Sequence, residues 1–404
     1  MKISLKNLLE YSNAGHPEDP QYAGVIFGAM KTRRTASCPN SDLGTHLGAK
    51  LAVEMKAWSP ARRAPLPRET EFRPQGRAQI GVWARGRGIA TLLVCAFIPF
   101  VALAGDWESI SDNTTAPLKP GYGGPTAGVV VDRASGDVFM VISDLGLWRS
   151  ADQGATFARC DGKTIGGRCE TGWALQADPA GKRLACFMIY GDSAITTDGG
   201  KTWTKFKTSH LDFGSVDWGD TGNRFLAIRH EKDGLLTTSD DGGATWKDLE
   251  KGFSGVGVLD HTTFVATKLK EPGIFRSTDA GGTWTQVYAD TPSAATPVVF
   301  EGAAYWATGK GLLISQDKGA TWSGLGSALD ATHGPIFDTA NHFVVVGKSG
   351  FSETKDGGQT WKRVAPLPPD FTTARIGANF AWDPRADIFY ASTMTKPTFK
   401  YQRP

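Results

Sequence analysis

Apolar residues in this chain come in short runs rather than long periodic stretches. Ala127–Val131 and Val138–Ile142 form the first pair, and similar pairs recur as far as Ala378–Trp382 and Ile388–Ser392. Runs of about 4–8 residues, rich in β-branched and aromatic side chains and bounded by Gly, Asp and Ser, predict strands. No helical period is sustained beyond residue 105, so an all-β fold is expected.

The polar punctuation between the runs carries a stronger signal. The octapeptide Ser/Thr-x-Asp-x-Gly-x-Thr-Trp/Phe occurs six times: 150–157, 196–203, 239–246, 277–284, 315–322 and 354–361. Its aspartates are Asp152, Asp198, Asp241, Asp279, Asp317 and Asp356, separated by 46, 43, 38, 38 and 39 residues. A repeat of about 40 residues with paired strands before each turn suits one four-stranded propeller blade per copy. Within the turn, Asp and Ser/Thr bond to nearby backbone, Gly supplies a backbone angle other residues resist, and the aromatic packs inward. The six aspartates are therefore read as fold elements between third and fourth strands, not as metal or catalytic groups.

After the sixth copy, Ala378–Trp382, Ile388–Ser392 and Thr398–Tyr401 give three strands but no further turn motif. Trp107–Ile110 resembles the tail that follows each motif, as in Trp203–Phe206. The N-terminal strand is thus expected to complete the C-terminal blade. The predicted fold is a seven-bladed β-propeller of four-stranded antiparallel blades over 105–404, its last blade closed by both chain ends.

This pattern resembles the Asp-box (BNR) repeats of sialidases, xyloglucan-cleaving glycoside hydrolases, the sortilin ectodomain and photosystem assembly factors. The resemblance covers nearly all of 106–404. It implies the fold strongly and an activity only weakly.

Composition adds a second division. Gly 49 and Trp 13 are high, as turn-rich repeats with a recurring aromatic require. Residues 1–104 carry 14 Lys/Arg and 7 Asp/Glu, a charge of +7, whereas 105–404 carry 30 and 34, a charge of −4. The basic excess lies outside the propeller, which removes the main support for a nucleic-acid partner. Ile89–Ala104 is an uncharged, mostly apolar run behind Arg85 and Arg87, ending Ala102-Leu103-Ala104. It reads as a secretory signal cleaved before Gly105, and at 16 residues broken by Pro99 it is short for the roughly 20 of a membrane span. Residues 82–104 are assigned to the signal and 1–81 to a disordered or mis-assigned extension, with Val82 as the alternative start. A secreted or periplasmic monomer without a stable membrane span follows. Of the cysteines beyond the signal, Cys160 and Cys169 could form a staple, while Cys186 reads as a buried thiol.

The blade order gives the chain a sidedness. Turns between strands one and two and between three and four share one face, which carries the Asp boxes. Ligands are expected on the opposite face, where loops vary on a rigid scaffold. Loops after the second strands there offer Asp144, Asp192, Arg229, His230, Glu231, Lys268, Lys310, Lys348 and Lys396. Connections between blades add Tyr122, Glu170, Trp173, His210, Asp212, His333 and Arg375. If these converge, carboxylates face lysines across the ring. Tyr122, Trp173, Trp218 and Trp306 are candidate sugar-stacking aromatics.

The stretch Gly123-Gly124-Pro125 through Ser143-Asp144-Leu145-Gly146 resembles the first blade of the xyloglucan-cleaving hydrolases, which implies one catalytic carboxylate at Asp144. Hydrolysis needs a second carboxylate. In that family it comes from a second propeller, for which this chain has no room, leaving Glu170 or Asp212 as substitutes. A turn-forming role for Asp144 outweighs the catalytic one. The likeness to sialidases fails further: Arg375-Ile376-Gly377 lies in the last blade, and no Tyr–Glu pairing is legible. No cofactor motif or zinc spacing is present. The expected function is glycan-active, hydrolytic or merely binding, with a protein- or peptide-binding scaffold as the alternative.

Overall fold

The computed structural model describes residues 106–121, 124–220, 224–326, 329–374, 377–394 and 396–404. The expected extension and signal segment, together with Tyr122 and Arg375, lie outside the described residues. Seven four-stranded antiparallel sheets follow one another around a ring. Innermost strands, in blade order, are Pro125–Val131, Leu175–Ala177, Leu211–Val216, Phe253–Val258, Val298–Phe300, His333–Phe337 and Ala378–Asp383. The seventh sheet closes as predicted. Glu108–Ser109 lies outside Phe399–Gln402, pairing Glu108 with Lys400 and Ser109 with Phe399.

Each Asp box folds by the same local chemistry. In the box of blade 4, Ser277 donates to Asp279 and accepts from the Gly281 amide, while both the amide and the hydroxyl of Thr283 donate to the Asp279 carboxylate. These bonds favour the ionised carboxylate and hold Asp279 down at about 2. Asp152, Asp198, Asp241, Asp317 and Asp356 are held at about 2 in the same way. The box is a turn whose polar atoms are spoken for.

The box glycine also joins neighbouring blades. Gly154 has φ +88°, and a Cβ there would stand 2.8 Å from Ile110 of the N-terminal segment. Gly243, at φ +89°, presses the ring of Phe206 in the preceding blade, which a Cβ would meet at 2.3 Å. Only glycine fits both the left-handed backbone and the close approach. Trp246 packs across the same seam on Phe206 at 5.5 Å between centroids and stacks on Phe225 of its own blade at 5.9 Å, while Trp322 packs on Trp306 within blade 5 at 5.8 Å. Burying one such aromatic is worth about 4–6 kcal/mol by area.

The three described cysteines are free thiols, so Cys160 and Cys169 do not form the staple that their spacing allows. Cys169 and Cys186 are buried in one apolar cluster between blades 1 and 2, beside partly buried Cys160. Burial pushes the Cys160 thiol up to about 12 and the other two also upward, which suits packing rather than reactivity.

Candidate functional site

The face opposite the boxes carries one tightly connected polar cluster, at the junction of blades 2 and 3. It begins with a bulge. The innermost strand of blade 3 slips register between Leu211 and Phe213, leaving Asp212 as the extra residue. A bulge re-aims a side chain that regular alternation would direct elsewhere. The Asp212 carboxylate is buried and accepts from His230 Nδ1 at 2.6 Å. His230 follows the second strand of the same blade, and its Nε2 lies 2.9 Å from the Tyr190 hydroxyl and 3.3 Å from Glu231. Tyr190 donates to Glu231 at 2.7 Å.

The proton positions follow from these bonds. A phenol has one hydrogen, and here it points to Glu231. Nε2 must then carry its own hydrogen to bond the phenol oxygen, while Nδ1–H serves Asp212. That description requires an imidazolium. Burial pulls His230 down, but the hydrogen bond and charge of Asp212, with the charges of Glu231 and Glu170, outweigh it and raise it above the ordinary histidine value. Burial and the bond to Glu231 push the phenol up to about 12, so Tyr190 stays a donor.

Tyr190 is nevertheless 46% exposed, one of few large apolar side chains open to solvent. Arg168 lies over its ring at 4.8 Å and pairs with Glu170 through Nε at 2.7 Å. Exposed His210 meets the Tyr190 ring edge-on at 5.6 Å. One aromatic surface is thus held in place by a cation, an imidazole and a carboxylate. Sequence reasoning missed Tyr190 because it ends the apolar run Leu184–Tyr190 and reads as core. The signal available was the Gly191 behind it and its position after a second strand, equivalent to His230 in the next blade.

The other expected residues are distributed differently. Asp144 is exposed in the turn between the second and third strands of blade 1, at φ 58°, bonded by Ser143 at 3.4 Å and through its own amide to Gly167. No hydrogen bond or ion pair links it to Glu170 or Asp212 among the described residues. Arg229 serves Asp248 at 2.5 Å and Thr208 at 2.9 Å. Asp192 pairs with Lys205 at 2.5 Å. Lys268 folds over Phe275 at 4.4 Å and pairs with Glu271, and Lys396 pairs with Asp370 at 3.7 Å. Lys310 and Lys348 are exposed at turns, their amides bonded to Thr308 and Asp330.

Trp173 and His333, expected on the rim, are instead buried on the ring axis, stacked at 4.9 Å with planes 7° apart. The cause is topological. A connection between blades feeds directly into an innermost strand, so its last residues turn toward the axis. Trp306 is core, fully buried with its indole N–H on the Ala294 carbonyl, and Trp218 follows the blade 3 innermost strand on the box face.

Below the Trp173–His333 pair the axis holds a cavity of about 210 Å³. Val130, Val298, Ile336, Phe337 and Trp382 contribute to its wall. At its box-face end Arg133 reaches from blade 1 to the carbonyls of Pro179 and Asp338 and lies over Phe300. Among the described residues no cluster of three or more His, Cys, Asp or Glu has metal-binding geometry, and no helix is long and apolar enough to cross a membrane.

Comparison with known proteins gives one short family match and several distant structural similarities. The BNR/Asp-box repeat family matches residues 194–205, which include the box of blade 2. No curated protein matches the chain. Among solved structures, a GH74 enzyme from Niastella koreensis is similar at 17% identity and TM-score 0.48, over 69% of this chain and 52% of that one. YCF48 from Cyanidioschyzon merolae is similar at 14% identity and TM-score 0.43, over 74% and 98%. A YCF48 bound to D1 peptide is similar at 18% and 0.42, over 75% and 99%. The chain therefore spans about half of the GH74 enzyme and nearly all of YCF48. With six boxes of one geometry on seven antiparallel blades, this chain is a seven-bladed β-propeller carrying Asp-box motifs, one of which the BNR/Asp-box repeat model matches.

Proposed function

We propose that this chain is an exported carbohydrate-binding propeller that holds its ligand over Tyr190, on the rim of blades 2 and 3. The carrying observation is an exposed aromatic ring fixed by His230, Glu231 and Arg168. A sugar presents an apolar C–H face and a fringe of hydroxyls that both donate and accept. Tyr190 offers the matching flat apolar surface, Glu231 and Glu170 offer acceptors, and Arg168 offers donors. Because the ring is locked before binding, little side-chain freedom is lost on association.

Binding without cleavage is favoured over hydrolysis. Cleavage uses two carboxyl groups about 5–9.5 Å apart across the glycosidic bond. Asp144 stands outside the cluster, Asp212 is turned inward onto His230, and Glu170 is paired with Arg168.

The test is a panel of glycans and polysaccharides assayed for binding and for reducing-end release by wild type and Glu231→Gln. Saturable binding with no release supports this reading. Release abolished by Glu231→Gln would make the protein a hydrolase, and binding only to peptides would replace the carbohydrate. Export is tested by sequencing the N-terminus of the mature protein, expected at Gly105.

A further inference from the structure

The channel on the ring axis is a second site, independent of the rim over Tyr190. Its lining follows from the innermost strands: Val130, Pro297, Val298, Ile336, Phe337 and Trp382 present apolar walls from blades 1, 5, 6 and 7 around a volume of about 210 Å³. An apolar cavity of about 150 Å³ accommodates a benzene ring, so this one has room for a ring and a substituent.

The two ends differ. Toward the face opposite the boxes the cavity is closed by the stacked, buried rings of Trp173 and His333. Toward the box face its lining residues Arg133, Pro179, Trp218 and Pro384 are only partly buried, and this end is the mouth.

One polar atom within is unsatisfied. His333 is 5% exposed, and its Nε2 has no hydrogen-bond partner. The other ring nitrogen fixes the tautomer. Thr332 Oγ1 donates to the Val346 carbonyl at 3.2 Å, so toward His333 Nδ1, 3.1 Å away, it is an acceptor. The hydrogen of the neutral ring is assigned to Nδ1 on that bond, and Nε2 presents its lone pair beside a wall that also carries Gln176, Thr296 and Asn379. A buried acceptor left unpaired costs about 1–3 kcal/mol. A ligand that fills the cavity and brings one O–H or N–H relieves that penalty.

We infer that the axial cavity binds a small, flat, uncharged aromatic molecule carrying a single hydrogen-bond donor, of which phenol is the simplest case, with the donor directed at His333 Nε2. Toluene has nearly the same shape and no donor. It fills the same walls but leaves Nε2 unpaired, so it binds more weakly.

The experiment titrates phenol and toluene separately into the full chain, following ligand-detected NMR and the ¹⁵N resonances of His333. Phenol is expected to bind about tenfold tighter than toluene, consistent with one hydrogen bond to a buried acceptor, and to shift Nε2 more than Nδ1. In His333→Phe the preference should vanish. In Val298→Trp, which fills the cavity and leaves His333 in place, binding of both should be lost. An Nε2–H tautomer in the free protein would overturn the inference. So would equal affinity for phenol and toluene, or binding that survives Val298→Trp. Absence of binding by either compound, as for a channel filled by water, would overturn it as well.

Discussion

Tyr190 donates a hydrogen bond to Glu231 at 2.7 Å across the seam between blades 2 and 3, joining residues 41 positions apart in the chain. The bond is possible because His230, one residue before Glu231, fixes the phenol from the other side while resting on buried Asp212. A buried base, a buried acid and an exposed ring thus act as one unit, and removing any member disturbs the rest.

The first prediction concerns the charge of that unit. His230 is held above the ordinary histidine value, so Asp212→Asn should lower its titration midpoint in an NMR pH titration. Because the folded value is raised, the associated stability is fully present below about pH 6.5 and is lost as pH rises through the raised value. Urea unfolding should therefore show wild type losing stability on the alkaline side, and Asp212→Asn losing less over that window.

His333 has the opposite sign. Burial lowers it to about 4, against a smaller upward pull from the Ala378 carbonyl. Its contribution is present above about pH 6.5 and is lost as pH falls toward 4, amounting to about 3 kcal/mol from the size of the shift. His333→Phe should flatten that acid-side decline in urea midpoints between pH 7 and pH 4. An equally steep decline in the variant would contradict the assignment.

Ring closure gives a third prediction, with its control built in. Gly154 and Gly199 both sit at positive φ, +88° and +74°, but a Cβ on Gly154 meets Ile110 whereas one on Gly199 meets nothing within 4 Å. Gly199→Ala should cost about 1 kcal/mol from backbone strain alone. Gly154→Ala adds overpacking against the closing strand and should cost about 2–4 kcal/mol. Denaturant midpoints decide, and equal losses would mean that the N-terminal segment does not bear on blade 1.

What was legible in the sequence follows a physical boundary. The Asp boxes could be read because their turn chemistry is confined to eight residues, as Ser277, Asp279, Gly281 and Thr283 show. Ring closure could be read because the N-terminal strand repeats the tail of a box. Site geometry depends on contacts between blades, which no local pattern records. Asp212 and His230 were both recognised as face residues, but their pairing depends on a bulge at Asp212. Trp173 and His333 were assigned to the right connections and the wrong depth, because the step from connection to innermost strand turns them onto the axis.

A fourth prediction separates the two faces. Asp317→Ala removes the acceptor of Ser315 and of the Thr321 amide and hydroxyl in the blade 5 box. It should lower the thermal midpoint and leave glycan affinity unchanged, because the box turn lies on the face opposite Tyr190. Loss of binding at a temperature where the variant remains folded would put function on the box face.

The central claim is that the ligand lies over Tyr190 rather than beside Asp144. Its most direct test is isothermal titration with the best glycan of the panel into wild type, Tyr190→Ala and Asp144→Asn. Tyr190→Ala should weaken binding at least tenfold, with Asp144→Asn within a factor of about two of wild type, since one lost stacking surface is worth about 1–3 kcal/mol. Full affinity in Tyr190→Ala together with loss in Asp144→Asn would contradict the account.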